Sequence, residues 1–350
     1  MDDNTFQELL DSLRNAKEEP KHRNSKILIV DFLNTFIRAF AASPASNTNG
    51  EHCGGITGFL ASVGNAVRVT GATRCIFVSD GENSTNRKKK LFPEYKSGRS
   101  MKINLNRSYN FKNEIEEYNS MKTQLVKVVN YLEHLPVQFI NIDNCEADDV
   151  IAYLAQNVFI KEDEYVTIMS SDKDFYQLVN DRINIWSPTK KKFYGVQEIL
   201  DEYYVHPNNF SIYKALIGDK SDSIPGVRGM GDKTIQKYFS FLMDETPIEL
   251  DDFFEKVEKL HEEYPNIKVL NTILNSKDLI ELNEELMQLK NPLISGNSTS
   301  KIILAEQAKP YTFNRHNMLV MSIKDGIQNS FPNISEWAFK TFSSLEAFNK

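Results

Sequence analysis

Cysteine is scarce in this 350-residue chain: Cys53, Cys75 and Cys145 are odd in number and form no CxxC pair. That excludes a disulfide scaffold and a cysteine–zinc site. The six histidines are scattered without HxH or HExxH spacing, which disfavours a zinc hydrolase. No apolar run reaches the roughly 18 residues of a membrane span. The opening MDDNTFQELLDSL is acidic and has no signal-peptide core. The expectation is a soluble cytoplasmic protein with no membrane partner. Internal repeats and low-complexity tracts are absent. Positive charge is also in deficit, with a net charge of −7, which on its face argues against a nucleic-acid partner.

Distribution overrides that total. Between Thr85 and Lys112 nine basic residues (Arg87, Lys88, Lys89, Lys90, Lys96, Arg99, Lys102, Arg107, Lys112) stand against one acid, Glu94, a net of +8. Acids dominate from Asp244 to Glu285 instead. The β-branched apolar run KILIVDF reads as a buried parallel strand, and RCIFVSD, VQFINID and YVTIMSSD repeat the pattern. Helix-like stretches such as FLASVGNAVRVT and ADDVIAYLAQNVF alternate with them, and INIWSPTKKKFYG adds one more strand and a turn. The expected fold is α/β, a mostly parallel central sheet flanked by helices.

Residues 1–25 read as a polar N-terminal tail, 26–205 as the α/β domain, 206–300 as a helical domain and 301–350 as a C-terminal extension. A basic, then helical, insertion over about 81–130 interrupts the alternation. No strand-like run follows residue 206 until KIILA at 301–305.

Nine carboxylates fall where strands run out or a glycine loop turns: Asp31, Asp80, Glu146, Asp148, Asp149, Asp172, Asp174, Asp219 and Asp222. Ligands of open α/β sheets bind beyond the carboxyl ends of the strands. Each acid alone has a plainer explanation: an N-cap for Asp31 or Asp80, a helix-dipole partner in NCEADDV. Glu146 and Asp149, three apart, share a helix face, with Asp148 pointing elsewhere. Asp172 and Asp174, two apart, face one side if extended. Together such density needs cations, and an all-oxygen site suits Mg²⁺ or Mn²⁺. Metal-assisted phosphodiester hydrolysis follows.

GVRGMGDKTIQKY carries Gly226, Gly229 and Gly231, which permit a tight turn between two helices. With Arg228, Lys233 and Thr234 it reads as a helix–hairpin–helix gripping a nucleic-acid backbone. ALIGDKSDSIPGVRGMGDKTIQ, NCEADDVIAYLA, SSDKDFYQLV and FPEYKSGR together resemble the 5′-nuclease (flap endonuclease) family over residues 26–240. That family includes phage 5′–3′ exonucleases, phage-type ribonuclease H and the 5′-nuclease domain of bacterial DNA polymerase I.

The resemblance implies a helical arch over the active site and two metal positions. Asp31, Asp80, Glu146, Asp148 and Asp172 hold the catalytic metal; Asp149, Asp174, Asp219 and Asp222 shape the second. It places Lys96 and Arg99 at the scissile phosphate, Tyr95 stacked on a terminal base and Arg87 on a further phosphate. It also implies K⁺ in the hairpin, and a free-standing monomer, in a host cytoplasm if phage-encoded. The implied substrates are DNA and RNA–DNA duplexes with a 5′ end or flap, with a replication protein (single-strand binding protein or clamp) as partner. Arg228 stands where many relatives have Pro, and Ser223 where many have Asn. A PIN-type ribonuclease and a catalytically degenerate nucleic-acid-binding protein are the competing readings. An aspartyl phosphatase lacks its second acid at Leu33.

Overall fold

The computed structural model describes residues 25–98, 105, 106 and 108–348. The N-terminal tail through residue 24, Arg99, Lys102 and Arg107 lie outside the described residues. Six strands form one sheet: β1 (Lys26–Asp31), β2 (Arg74–Asp80), β3 (Gln138–Ile142), β4 (Tyr165–Met169), β5 (Ile183–Ser187) and β6 (Lys192–Tyr194). Their order is β3-β2-β1-β4-β5-β6, with β1 to β5 parallel and β6 antiparallel to β5. The single strand expected from INIWSPTKKKFYG is thus a hairpin of two.

Alternation along each strand sends side chains to two cores. Ile27 and Ile29 of β1, Ile76 and Val78 of β2, and Val166 and Ile168 of β4 face one. Leu28 and Val30, Cys75 and Phe77, and Met169 face the other. Both faces are therefore covered by helices, which is why the strands read as continuous apolar runs. Strand order reverses between β1 and β4, so the crevice beyond their carboxyl ends is the topological switch point.

On the second face, α1 (Phe32–Ala42) and α2 (Gly54–Thr70) pack with α4 (Glu114–Leu132). The short basic helix α3 (Asn86–Leu91) follows β2. The reading of an insertion extending to about residue 130 needs correction. The second half of α4 buries Gln124, Val128, Tyr131 and Leu132 in the core, so it belongs to the body of the fold and not to an insertion over the sheet edge.

Helix α5 (Ala147–Tyr153) follows β3, and α6 (Val196–Tyr203), α7 (Phe210–Ile217) and α8 (Asp232–Tyr238) follow the hairpin. The remainder is helical: α9 (Leu250–Glu263), α10 (Lys268–Leu274), α11 (Lys277–Met287), α12 (Gly296–Gln307), α13 (Arg315–Asp325) and α14 (Ile334–Phe342). KIILA lies inside α12 rather than in a strand. Only Ile302 of that run is buried, with Lys301, Ile303 and Leu304 exposed, so its spacing buries one residue per turn.

These late helices are not peripheral. Phe253, Val257, Leu270, Ile273 and Ile280 join the first core. Met318, Ile327, Ile334, Ala338 and Phe342 join the second. Trp337 packs so closely on α2 that a Cβ on Gly64 would lie 2.7 Å from its Cζ2. Arg74 pairs with Glu306 at 2.6 Å, tying α12 to β2. Among the described residues no helix is long and apolar enough to cross a membrane.

Candidate active site

Asp31 ends β1 and caps α1: Asn34 N donates to its Oδ1 at 3.3 Å and Ser170 Oγ to its Oδ2 at 3.0 Å. The N-cap role and a place at the switch point thus coexist in one carboxylate. Burial, then the charge of Asp172, pushes its carboxyl up to about 7. Asp172 is reached through the same serine, its own N–H donating to Ser170 Oγ at 3.0 Å. Its Oδ1 accepts from Asp174 N at 3.0 Å and caps a 3-10 turn, Lys173–Leu178. Asp172 and Asp174 therefore sit on a helical turn, not on an extended segment.

Asp80 ends β2, and Ala147 N at the start of α5 donates to its Oδ1 at 2.7 Å. Burial raises its carboxyl as well. Gly81 must follow it, because a Cβ there would lie 1.8 Å from the carbonyl oxygen of Ile142. That contact brings the end of β2 against the β3–α5 turn, where NCEADDV lies.

In that motif the ligand oxygens of Glu146, Asp148 and Asp149 lie within 4.8 Å of one another. Helical spacing would separate Asp148 from the other two, and a looser set would hold Asp149. The structure instead joins all three, since Glu146 precedes the helix as its N-cap and is not on the helical wheel. Asp149 Oδ1 is buried without a hydrogen-bond partner, and burial pushes the Asp149 carboxyl up to about 7. Burial opposes the charge of Asp148 too, yet the ammoniums of Lys88 and Lys96 hold it below the usual carboxylate range. An orphaned buried carboxylate oxygen beside two further carboxylates fits a hard divalent cation.

The basic segment reaches into this cluster. Glu146, 1% exposed, is paired with Lys88 Nζ at 2.7 Å and with Lys96 Nζ, and accepts from Tyr95 Oη at 3.0 Å. Lys88, 4% exposed, also lies 3.5 Å from Asp148. Tyr95 is 2% exposed, between Lys88 and Lys96, whose ammoniums sit 5.7 and 4.9 Å from its ring centroid. The stacking on a terminal base expected of Tyr95 is therefore corrected: its ring has no open face. Sequence reasoning counted Lys88 among the basic residues without giving it a site. No local signal marked it, because α3 ends at Leu91 and the carboxylates that Lys88 meets, Glu146 and Asp148, lie far along the chain. Arg87 is exposed, its Nη1 donating to the carbonyl of Leu293 at 2.8 Å.

A third group lies on the α7 side. Lys214, also missed, bridges Asp174 at 2.7 Å and Asp219 at 3.0 Å. Burial, then the charge of Asp172, pushes Asp174 up to about 7 despite that lysine. Asp219 and Asp222 sit on a turn closed by the backbone pair of Asp219 with Ile224. Asp222 O accepts from Lys96 N at 2.8 Å and Ser223 Oγ from Gly98 N at 3.1 Å, docking the basic segment on this turn. Among the described residues, Asp31, Asp80, Asp172, Asp174, Asp219 and Asp222 lie outside the three-carboxylate cluster.

Between α7 and α8, Gly226 meets backbone, whereas Gly229 and Gly231 have open space beside them. A Cβ on Gly226 would lie 2.0 Å from the carbonyl oxygen of Ile217. Gly229 takes φ +87, and its carbonyl accepts from Thr234 Oγ1 at 3.1 Å. Gly231 precedes α8 with open space at its Cα. Arg228 and Lys233 are exposed at this turn.

Comparison with known proteins identifies the family. Residues 26–204 match the family model described as 5′-3′ exonuclease, N-terminal resolvase-like domain. A 5′-3′ exonuclease of Aquifex aeolicus is 28% identical over 264 residues, covering 72% of this chain and 82% of its own. The flap endonuclease Xni of a Shewanella species is 31% identical over 210 residues, covering 60% and 73%. The fold is shared with the D15 flap endonuclease of bacteriophage T5, solved as a complex with DNA and metal ions. The TM-score is 0.59 at 19% identity, covering 89% of this chain and 99% of that one.

Proposed function

The chain belongs to the 5′-3′ exonuclease family, and from that membership we propose a Mg²⁺-dependent mechanism and a substrate range for its site. It is a structure-specific 5′ nuclease. The observation that carries the proposal is the buried set Glu146, Asp148 and Asp149 with an unpartnered oxygen on Asp149, met by lysines of the basic segment.

These three, with Asp31, Asp80 and Asp172, are the residues that hold the divalent cations. Asp174, Asp219 and Asp222 shape a second position. When bound, Mg²⁺ or Mn²⁺ supplies Lewis acidity and charge neutralisation for in-line displacement at phosphorus. The chain's own groups do the rest. Lys96, whose ammonium pairs with Glu146, is the group of the basic segment that would offset charge on the nonbridging oxygens of the scissile phosphate. Arg99, three residues on, serves the same phosphate. Lys88 orients Glu146 and Asp148 through its ion pairs, and its charge holds the Asp148 carboxyl low. Ser170 fixes Asp31 and Asp172 relative to one another.

The turn of Gly226, Arg228, Gly229 and Gly231, with Lys233 and Thr234, acts as a helix–hairpin–helix on the duplex backbone, with K⁺ on its carbonyls. Arg87 adds a rim contact. Substrates are RNA primers on DNA, 5′ flaps and nicked duplexes, leaving 5′-phosphate and 3′-hydroxyl ends. A replication protein docks on the C-terminal helices of the monomer.

End-labelled RNA–DNA hybrid, 5′-flap and blunt duplex, incubated with and without Mg²⁺, test this. Cleavage from the 5′ side in Mg²⁺ only is expected. Asp172→Asn keeps the capping oxygen for Asp174 N but removes a ligand charge. It should slow cleavage about a hundred-fold or more while leaving duplex binding within a few-fold. Undiminished cleavage by that variant would refute the assignment.

A further inference from the structure

We propose that the β5–β6 hairpin presents a second phosphate-contacting surface for the duplex, formed by Lys191 and Lys192 beside Lys173. It rests on the nuclease reading above and extends it to the far side of β1 and β4 from the basic segment. Strand β5 runs parallel to β4, so its end at Ser187 lies on the same sheet edge as Asp172. The hairpin turn stays there: Thr189 Oγ1 lies 2.9 Å from Ser171 Oγ, one residue before Asp172. Ser187 pairs with Lys192, leaving Pro188, Thr189, Lys190 and Lys191 as the turn.

All three hairpin lysines, Lys190, Lys191 and Lys192, are exposed, as is Lys173, which follows Asp172 directly. Their placement is built. Glu202 accepts from Lys190 Nζ at 2.6 Å, Tyr194 Oη at 2.8 Å and Tyr203 Oη at 2.9 Å. Lys192 stands farther off, at 3.9 Å from Glu202. Lys190 and Lys192 lie 5.2 and 4.8 Å from the Tyr194 ring centroid, and Lys173 5.0 Å from that of Tyr203. An acid and two tyrosines thus form a pedestal that engages Lys190 most closely and holds the exposed Lys192 and Lys173 over its rings, with Lys191 exposed at the tip. Lys191 takes φ 51, the left-handed region that Gly or Asn occupies at less cost. Lys96, at the metal cluster, takes φ 56.

Lysine on an edge strand also guards against edge-to-edge pairing, which would explain Lys192 on β6. It does not explain a lysine at the left-handed tip or a pedestal aimed at the active-site edge. The turn offers ammonium groups and no base-stacking ring, the chemistry of backbone phosphates rather than of bases.

The test measures binding of a fluorescent 5′-flap duplex in EDTA, where nothing is cut, at KCl from about 50 to 200 mM. In Lys191→Ala/Lys192→Ala the slope of log K against log salt should fall by about two, close to 0.9 per lost phosphate contact. The Kd at low salt should rise about ten-fold. Lys191→Arg/Lys192→Arg should keep both, and kcat at saturating duplex in Mg²⁺ should be unchanged. An unchanged slope, or an equal loss in the α9 control Lys256→Ala/Lys259→Ala, overturns the hairpin surface. Failure of the wild-type chain to bind duplex sinks the nuclease reading and this surface together. Wild-type binding matched by the double alanine variant sinks this surface alone.

Discussion

Glu146 concentrates the chemistry of the molecule in one side chain. It is almost fully buried, yet it meets two ammonium groups and a phenol, all delivered by a segment some fifty residues earlier. Burying a carboxylate costs several kcal/mol unless it is paired. Lys88 and Lys96 therefore offset the buried charge of Glu146. Removing one partner of a buried pair costs about 3–5 kcal/mol. With Lys96 and Tyr95 remaining on Glu146, Lys88→Met should lower stability by about 3 kcal/mol in EDTA. Saturating Mg²⁺ should recover much of that loss, because a cation at Glu146, Asp148 and Asp149 offsets the same charge. Thermal denaturation of both proteins with and without Mg²⁺ checks this; a gap that Mg²⁺ leaves unchanged would detach Lys88 from the metal site. The acidic motif was legible from its residue types and spacing. The lysine that answers it was not, because no local pattern links positions 88 and 146.

At the scale of elements, strand ends and tight turns carry the site. Asp31 and Asp80 share one edge of the sheet because they end adjacent parallel strands, and Asp172 joins them because β4 neighbours β1 across the switch point. Gly81 lets the end of β2 touch the β3–α5 turn. A Cβ at Gly81 would overlap the backbone of Ile142, which cannot swing away as a side chain could. Gly81→Ala should cost about 2–4 kcal/mol and shift Asp80 away from Ala147 N. Denaturant unfolding would measure the first effect and a weaker Mg²⁺-induced rise in Tm the second. Wild-type values on both counts would show that the turn relaxes freely. Strand positions were readable from apolar runs, as was the helical character of the late segments. The β6 strand was missed because its three residues, KFY, are mostly exposed and carry no alternation. KIILA was misread because five residues cannot distinguish a strand from one turn of helix.

For the molecule as a whole, the sheet divides two cores, and both draw on the C-terminal helices. Phe342 is fully buried in the second core, edge-on to Trp337 at 5.7 Å between ring centroids. Phe342→Ala should cost about 3–5 kcal/mol by cavity formation while leaving the activity of the folded fraction intact. Denaturant unfolding beside a steady-state assay at low temperature would check both; full stability would mean that α14 is dispensable to the core. The order of strands and helices, the acidic motifs and the glycine turn were set by local residue pattern, because hydrophobic periodicity and backbone freedom act over a few positions. From these alone the α/β class and metal-assisted phosphodiester chemistry follow. Which acids lie within reach of one another, which lysines neutralise them, the burial of Tyr95 and the lysine hairpin beside Asp172 were decided only by tertiary structure. Charge and burial act through space, and parallel strands bring together side chains that are far apart along the chain.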